Sequence, residues 1–289
     1  MPDALQSAKN FRDLLGEAPD GGPYAYSQIF SDEGVRARAL SKKKFKLLKR
    51  IDPKLRPMLH EGEQVFFLTQ GSAVSFWESY FLGWAMYYIN RRAIVLTNER
   101  IIFIQITSRG KPRDLRSQIR YPAITKVRRT VLGNTKMLFR NGKSQVFVYI
   151  PRRDRKFLKA LVERTSGEMP TAEPDAQATE ELCPHCYEPV VGRPLQCPQC
   201  NGAFKSARKA AALSLLFPGL GDIYIGHWKF AVFEILFAGI IWLSVLAVAI
   251  DPTVSAGEVI AIAVYIVVIL HGMDSLATWY IARKGIHPA

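Results

Sequence analysis

Two long apolar runs near the C-terminus restrict the possible folds more than any other part of the sequence. Phe230–Ile250 has 21 residues with one charged side chain, Glu234, and Val259–Ile281 has 23 residues that include His271 and Asp274. A helix rises about 1.5 Å per residue, so each run as a helix can cross a hydrocarbon core of about 30 Å. We predict two transmembrane helices, with buried core helices of a soluble protein as the alternative.

The charges around these runs predict their orientation. The loop Asp251–Glu258 between them is acidic, whereas basic residues lie at their outer ends. By the positive-inside rule, the N-terminal domains and the C-terminus of such an inner-membrane protein are predicted to be cytoplasmic. A shorter stretch, residues 210–226, is broken by proline and glycines and is predicted to be re-entrant or interfacial. If this stretch crosses the membrane instead, the C-terminus lies on the opposite side.

All four cysteines of the chain fall in one C-x2-C-x10-C-x2-C pattern. Four thiolates at this spacing can surround one Zn²⁺ tetrahedrally, and such a closed site has no open position for chemistry. The segment 182–206 resembles a zinc ribbon. We predict one structural Zn²⁺ per chain, with redox chemistry or iron binding as alternatives. The predicted ligands are Cys183, Cys186, Cys197 and Cys200.

Residues 61–164 have the pattern of an antiparallel β domain. Short runs rich in β-branched and aromatic residues alternate with turn formers, and Asn141-Gly142 is a dipeptide that type I′ hairpins favour. The last stretch, Pro151–Arg164, has the apolar spacing of a helix. This outline predicts an α+β domain, a small β-sandwich or partly open barrel with a C-terminal helix.

The run Ile94–Phe103, the segment Tyr121–Val127 and the hairpin-helix ending resemble bacterial pleckstrin-homology-like (PH-like) and GRAM-type domains. This resemblance implies a non-catalytic module that docks a lipid surface or a protein. An insertion at residues 74–89 departs from the pattern because it is unusually aromatic. Its rings, with Trp77 and Trp84 among them, predict a belt at the lipid interface or, alternatively, a core-facing strand pair.

The N-terminal part of the chain is strongly basic. Residues 1–164 hold 32 basic and 14 acidic side chains, and the run Arg36–Arg56 holds ten basic residues against Asp52 alone. Segment 1–60 is therefore predicted to contain a basic amphipathic helix that binds anionic lipid. A solvated helix packed on the β domain and a nucleic-acid-binding helix are the alternatives; the membrane tether disfavours nucleic acid. The predicted lipid- or partner-binding residues are Lys42, Lys43, Lys44, Lys46, Lys49, Arg50, Trp77, Trp84, Arg128, Arg129, Arg152 and Arg153.

The rest of the chain contains a linker and a polar membrane motif. Residues 165–181 are acidic and poor in large apolar side chains, which predicts a flexible linker. The motif Pro218–Gly226, followed by Asp274, resembles the two-helix TM2 membrane module over residues 209–284, although Asp222 stands where an amide or histidine is commoner. Ionisable residues in transmembrane segments suggest a functional site. Pairing between helices, or snorkelling of the side chains to the membrane interface, would explain their presence equally well. The candidates are Asp222, His271 and Asp274.

No catalytic motif is present: the sequence lacks a nucleophile elbow, a Walker loop, an HExxH pair and a dinucleotide fingerprint. We predict a non-enzymatic inner-membrane adaptor or scaffold whose PH-like domain and zinc ribbon dock a protein partner or anionic lipid. One alternative is an accessory subunit of a transport or electron-transfer complex, whose partner completes the active site. A second alternative is a membrane-tethered nucleic-acid-binding protein.

Overall fold

The structure, a computed structural model, describes residues 22–30, 35–74, 78, 87, 89–168 and 178–289. The chain divides into two units, Met1–Leu182 and Cys183–Ala289. The first contains the basic run and the predicted β domain, and the second contains the four cysteines and both apolar runs. Trp77 and Trp84, which belong to the predicted aromatic belt, lie outside the described residues.

The first unit is built on one antiparallel sheet. Its strands follow the order β5-β6-β7-β1-β2-β3-β4-β8, and β1 is central because it pairs with both β2 and β7. The predicted antiparallel β domain is thereby confirmed. The strands are β1 (Val65–Ala73), β2 (Arg91–Thr97), β3 (Arg100–Ile106), β4 (Pro112–Arg120), β5 (Ile124–Arg129), β6 (Thr135–Phe139), β7 (Ser144–Val148) and β8 (Glu180–Leu182).

A hairpin and a helix complete this domain as the sequence predicts. Asn141-Gly142 lies in the turn between β6 and β7, and its glycine has a φ of 76°, a value that favours glycine. The helix α3 (Arg152–Glu168) follows β7. Its residues Leu158 and Val162 are fully buried in the main hydrophobic core of the sheet.

The basic run forms a long helix that packs on the sheet by its apolar face. This helix, α2 (Val35–Leu55), follows the short helix α1 (Tyr26–Ile29). Leu48, Ile51 and Leu55 are fully buried, and the helix contacts β1 and β4. The packed-helix interpretation therefore holds for the apolar face of α2; among the described side chains of this helix, the exposed ones lie on the opposite face.

Both ends of the predicted linker, residues 165–181, belong to regular elements. The helix α3 continues to Glu168, and the strand β8 begins at Glu180 and pairs with β4. Glu180 Oε1 lies 2.6 Å from Arg120 Nη2 on β4, so an acid that suggested a linker instead neutralises a basic residue on the sheet. Composition did not indicate the strand β8, because it has only three residues. Such a short strand can form because the edge strand β4 is already in place and supplies its hydrogen-bond partners.

The second unit begins with the cysteine segment and continues as helices. The helices α7 and α8 are joined by a π-helical turn, Val267–His271, and together form one helix from Ala256 to Ala282. The elements are β9 (Pro189–Val190), α4 (Ala207–Leu216), α5 (Leu220–Ile225), α6 (Trp228–Ala249), α7 (Ala256–Ile266) and α8 (Gly272–Ala282).

Two of these helices are long and apolar enough to cross a membrane: α6, with 22 residues, and the combined α7–α8 helix, with 27. In their most apolar stretches only 17% and 6% of the residues are buried. Large side chains such as Phe233, Leu236 and Ile240 are instead exposed. Within the described structure, these helices therefore lack the burial expected of soluble core helices.

The stretch predicted to be re-entrant or interfacial forms two short helices, α4 and α5, separated by Pro218-Gly219. With ten residues, α4 is about 15 Å long, too short to span a bilayer alone. The two helices pack very closely, since a Cβ added to Gly221 would lie 2.2 Å from the Ala210 carbonyl oxygen. Only glycine fits at this contact.

Candidate functional site

The four cysteines lie on two turns that share one backbone pattern. Cys183 accepts a hydrogen bond from the Tyr187 N–H, and Cys197 accepts the equivalent bond from the Asn201 N–H, through their carbonyl oxygens. Tyr187 and Asn201 both have positive φ, of 66° and 57°. The repeated C-x2-C spacing thus folds twice into the same knuckle, and each knuckle contributes two thiols to one centre.

The sulfur positions fit one tetrahedral metal ion. Cys183 Sγ lies 3.8 Å from Cys200 Sγ, and Cys186 Sγ lies 3.7 Å from Cys197 Sγ. All four sulfurs lie within 4.8 Å of one another. At a Zn–S distance of about 2.3 Å, a tetrahedron has edges of about 3.8 Å, whereas a disulfide needs about 2.05 Å. The cluster can therefore bind one ion such as zinc, and the cysteines are free thiols.

The thiols differ in acidity before a metal binds. Burial raises the pKa of Cys186 to about 12. Burial also opposes ionisation of Cys197, but hydrogen bonds from the backbone of Cys200 and Gln199 outweigh it and lower its pKa to about 7. A bound metal requires thiolates, so loading the centre must release protons.

His185 lies inside the first knuckle without joining the thiol cluster. Its ring stacks on Phe204, with ring centroids 6.4 Å apart. The ring also covers Gly202, where an added Cβ would lie 2.4 Å from it. The contacts of His185 are thus those of a packing residue.

A second candidate site is a basic pocket on the first unit. Three of its residues lie on β5, where Val127 points into the core while Arg128 and Arg129 are exposed. Thr135 lies on β6. The other four lie on one face of α3, because positions i, i+3, i+4 and i+7 of a helix share a side. None of the described lining residues is acidic. The pocket is lined by Val127, Arg128, Arg129, Thr135, Arg152, Arg155, Lys156 and Lys159.

The pocket includes three of the five arginines that the sequence predicts to bind lipid or a partner: Arg128, Arg129 and Arg152. Arg153 is exposed but does not line the pocket, and Arg50 lies on α2. Lys156 was missed, although its spacing from Arg152 on the helix would have indicated it. Arg155 donates a hydrogen bond to the Gly133 carbonyl, which fixes one wall. Lys159 lies 3.7 Å from Glu163 in an exposed pair, a contact that leaves its charge largely available.

The predicted basic residues of α2 divide into two groups. Lys42, Lys43, Lys46 and Lys49 are exposed. Lys44, however, is buried, and its Nζ lies 3.0 Å from Asp154 Oδ1 and 5.0 Å from the centroid of the Phe67 ring. Arg50 is half-buried and donates to the Arg109 carbonyl. Lys44 therefore stabilises the domain and is not on the surface that the sequence assigned to it.

The predicted polar residues of the helical unit separate in the structure. Asp222 and Asp274 lie together with Glu234. His271 has other contacts: its Nδ1 lies 3.0 Å from the Leu215 carbonyl oxygen, and its Nε2 accepts from Trp242 Nε1 at 3.1 Å. Because both ring nitrogens have partners, His271 links α4, α6 and the π-helical turn.

No protein-family model and no curated protein matches the chain. Among solved structures, the chain is similar to two crystal structures of the linker-DH/PH domains of p115-RhoGEF, each at 10% identity and a TM-score of 0.30. These matches cover 58% of this chain and 42% and 56% of theirs, so the chain spans about half their length.

It is also similar, at 15% identity and a TM-score of 0.27, to the C-terminal domain of an unknown protein from Leishmania infantum. That match covers 41% of this chain and 93% of the other. Similarities this distant leave the family open.

Proposed function

We propose that this chain is a non-enzymatic adaptor of the bacterial inner membrane whose first unit docks on anionic lipid through the basic pocket. The observation that carries the proposal is the convergence of six basic side chains, from β5 and α3, in one pocket. Arginine matches phosphate oxygens with paired N–H donors, so such a pocket suits a phosphate group. Its volume of about 90 Å³ is far below that of pockets for larger ligands, of about 300 Å³ or more.

Because of the apolar helices, a weak affinity of the basic pocket for lipid would be enough for docking. We infer that α6 and the α7–α8 helix span the membrane, because lipid would cover their exposed apolar side chains. The first unit and the C-terminus then lie in the cytoplasm, and the tether holds the pocket at high effective concentration beside the leaflet. The exposed lysines of α2 add long-range attraction, each worth about 1 kcal/mol near an anionic surface.

Three modules of the chain would have separate parts in such an adaptor. We infer that the first unit is a PH-like domain, that the cysteine segment is a zinc ribbon with a structural Zn²⁺, and that residues 209–284 form a TM2-like membrane domain. A metal that is fully coordinated by thiolates stabilises the fold and offers no site for substrate. This supports a docking role over an enzymatic one.

The test uses the full chain in nanodiscs of neutral lipid or of lipid with an anionic fraction. We expect anionic lipid to slow hydrogen exchange in β5 and at the start of α3. The paired substitution Arg152→Glu and Lys156→Glu should abolish this protection, because it removes at least about 2 kcal/mol of attraction, roughly 30-fold in affinity. High salt should have a similar effect.

The matched control reverses two exposed lysines outside the pocket, Lys111→Glu and Lys143→Glu, with the same change in net charge. Protection lost equally in this control would mean that overall charge, and not the pocket, attracts lipid. Protection that is absent in both lipid compositions would contradict docking altogether.

A second candidate function is that of an accessory subunit in a larger membrane complex. The acidic cluster within the helical unit favours it, because such groups in a membrane domain often serve transport. Purification in mild detergent separates the candidates. A stoichiometric integral-membrane partner supports the subunit role, whereas an isolated chain that still docks on anionic lipid supports the adaptor.

A further inference from the structure

Three carboxylates from three helices meet in the second unit. Asp222 is on α5, Glu234 on α6 and Asp274 on α8, and one oxygen of each lies within 4.8 Å of the other two. The turn before α5 brings them together: Gly219 has a φ of 88°, and its N–H donates to Asp274 Oδ2 at 3.1 Å. A Cβ at Gly219 would lie 2.7 Å from the Ala231 carbonyl oxygen, so glycine permits this approach to α6.

The surrounding hydroxyl groups satisfy only part of the cluster. Thr278 Oγ1 donates to Asp222 Oδ2 at 2.9 Å and lies 3.0 Å from Ser214 Oγ. Two other carboxylate oxygens, Asp222 Oδ1 and Glu234 Oε2, are buried and have no hydrogen-bond partner among the described residues. Asp222 itself is only 2% exposed. Buried acceptors of this kind are rare without a ligand, a proton or water.

A buried histidine lies beside one of these carboxylates, Asp222. His227, 3% exposed, follows α5 in the chain, and its Nδ1 is buried without a hydrogen-bond partner among the described residues. This nitrogen lies 3.5 Å from Asp222 Oδ1. The separation is long for a hydrogen bond, so the buried carboxylate oxygen still lacks a partner at ordinary hydrogen-bond distance.

Electrostatics favours a cation in this space. Three carboxylates at such short range cannot all be ionised in a poorly solvated site unless positive charge is added. One divalent ion would neutralise most of this charge, and it would give partners to both orphan oxygens. A proton satisfies one oxygen pair but leaves the other orphan atoms unpaired.

We propose that Asp222, Glu234 and Asp274 bind one divalent cation of the class that prefers carboxylate ligands, with Mn²⁺ as its representative and with His227 beside Asp222. Carboxylate-rich sites suit Mn²⁺, whereas four thiolates select zinc, so the chain carries two metal sites of different chemistry. The ion would join α5, α6 and α8 in one polar contact. This site is separate from the basic pocket and does not depend on lipid docking.

The test is a Mn²⁺ titration of the purified full chain in detergent, loaded with zinc beforehand and freed of other metals. The electron paramagnetic resonance signal of free Mn²⁺ reports binding, and we expect one Mn²⁺ per chain. Asp222→Asn and Glu234→Gln should each weaken binding at least tenfold. Asp251→Asn, an exposed acid outside the cluster, is the matched control and should bind normally.

The amide substitutions preserve side-chain size and one hydrogen-bond-accepting oxygen, so they should leave the fold intact. Unchanged zinc content and an unchanged far-ultraviolet circular dichroism spectrum would verify this. Mn²⁺ should also raise the thermal midpoint of the wild-type chain but not that of the variants. The proposal is overturned if the chain binds no Mn²⁺ at millimolar concentration, or if the substitutions leave binding unchanged.

Discussion

Substitution of Cys197 by serine is expected to abolish metal binding and to unfold the cysteine segment. Its hydrophobic cluster is small, with only Cys183, Val190, Cys197, Phe204 and Ile286 as its buried members. Segments of this size rarely fold on such a core without a metal. A structural zinc ion contributes on the order of 10 kcal/mol to folding in isolated zinc-finger peptides, so loss of one thiolate should remove most of the stability.

Two measurements check this prediction. Elemental analysis should find about one zinc per wild-type chain and none at this site in Cys197→Ser. Hydrogen exchange should accelerate at the Tyr187 and Asn201 amides, which bond to the Cys183 and Cys197 carbonyls in the two knuckles. His185→Gln is the control and should retain the metal, because His185 stacks on Phe204 and is not in the thiol cluster. Slow exchange in metal-free Cys197→Ser would contradict a structural role.

Acid should release the same metal from the wild-type chain. Every ligand must be a thiolate, and burial raises the pKa of Cys186 to about 12 in the absence of metal. Protons therefore compete with the ion more strongly as the pH falls, and apparent metal affinity should decrease from neutral to acidic pH. A chelator titration at two pH values measures this shift, and Asn201 exchange should follow it.

The sequence predicted local features better than long-range ones, for physical reasons that particular residues illustrate. The cysteine cluster and the Asn141-Gly142 hairpin depend on spacing and backbone preference within a few residues. Lys44 was misassigned although its spacing from Leu48, Ile51 and Leu55 places it on the buried face of α2. The prediction relied on the many basic residues of this run and not on the apolar spacing of the helix. Its partner Asp154, about one hundred residues away, is brought to it only by the fold.

The polar cluster of the helical unit illustrates the same limit. Asp222 and Asp274 were selected because charged residues are conspicuous in apolar sequence. Their convergence with Glu234 depends on the turn at Gly219, which local patterns do not reveal. His271, three residues before Asp274, instead faces Leu215 and Trp242. His271 and Asp274 are thus close in sequence but belong to different groups of contacts, because different helices pack against them.

Replacement of Arg100 by methionine is expected to destabilise the first unit by about 3–5 kcal/mol, because it leaves a charge without its partner in the interior. Arg100 and Glu63 are both buried. Arg100 donates to the two oxygens of Glu63 at 3.0 and 2.8 Å and to the Met58 carbonyl at 2.6 Å. Thr97 also donates to Glu63, at 2.7 Å. This network joins the turn before β1 to the start of β3.

The variant should show a distinctive pH dependence. Burial acts to raise the pKa of Glu63, but hydrogen bonds from Arg100 and Thr97 outweigh it, so the pKa lies below its usual value. In the wild type, this carboxylate stabilises the fold above its unfolded pKa and loses that effect as the pH falls through the folded pKa. Without Arg100, burial dominates and the pKa of Glu63 rises, so the destabilisation by Arg100→Met should diminish from pH 7 to pH 5.

Urea unfolding of the full chain, followed by pulse proteolysis of the first unit at both pH values, measures these effects. Arg56→Met is the matched control: Arg56 pairs with Asp52 at 3.2 Å on the surface, and its loss should cost no more than about 1 kcal/mol. The double variant Glu63→Gln with Arg100→Met should recover part of the stability, since it removes the orphaned charge. If the double variant is as unstable as Arg100→Met at pH 7, the lost stability comes from packing. This result would refute the unpaired buried carboxylate as the cause.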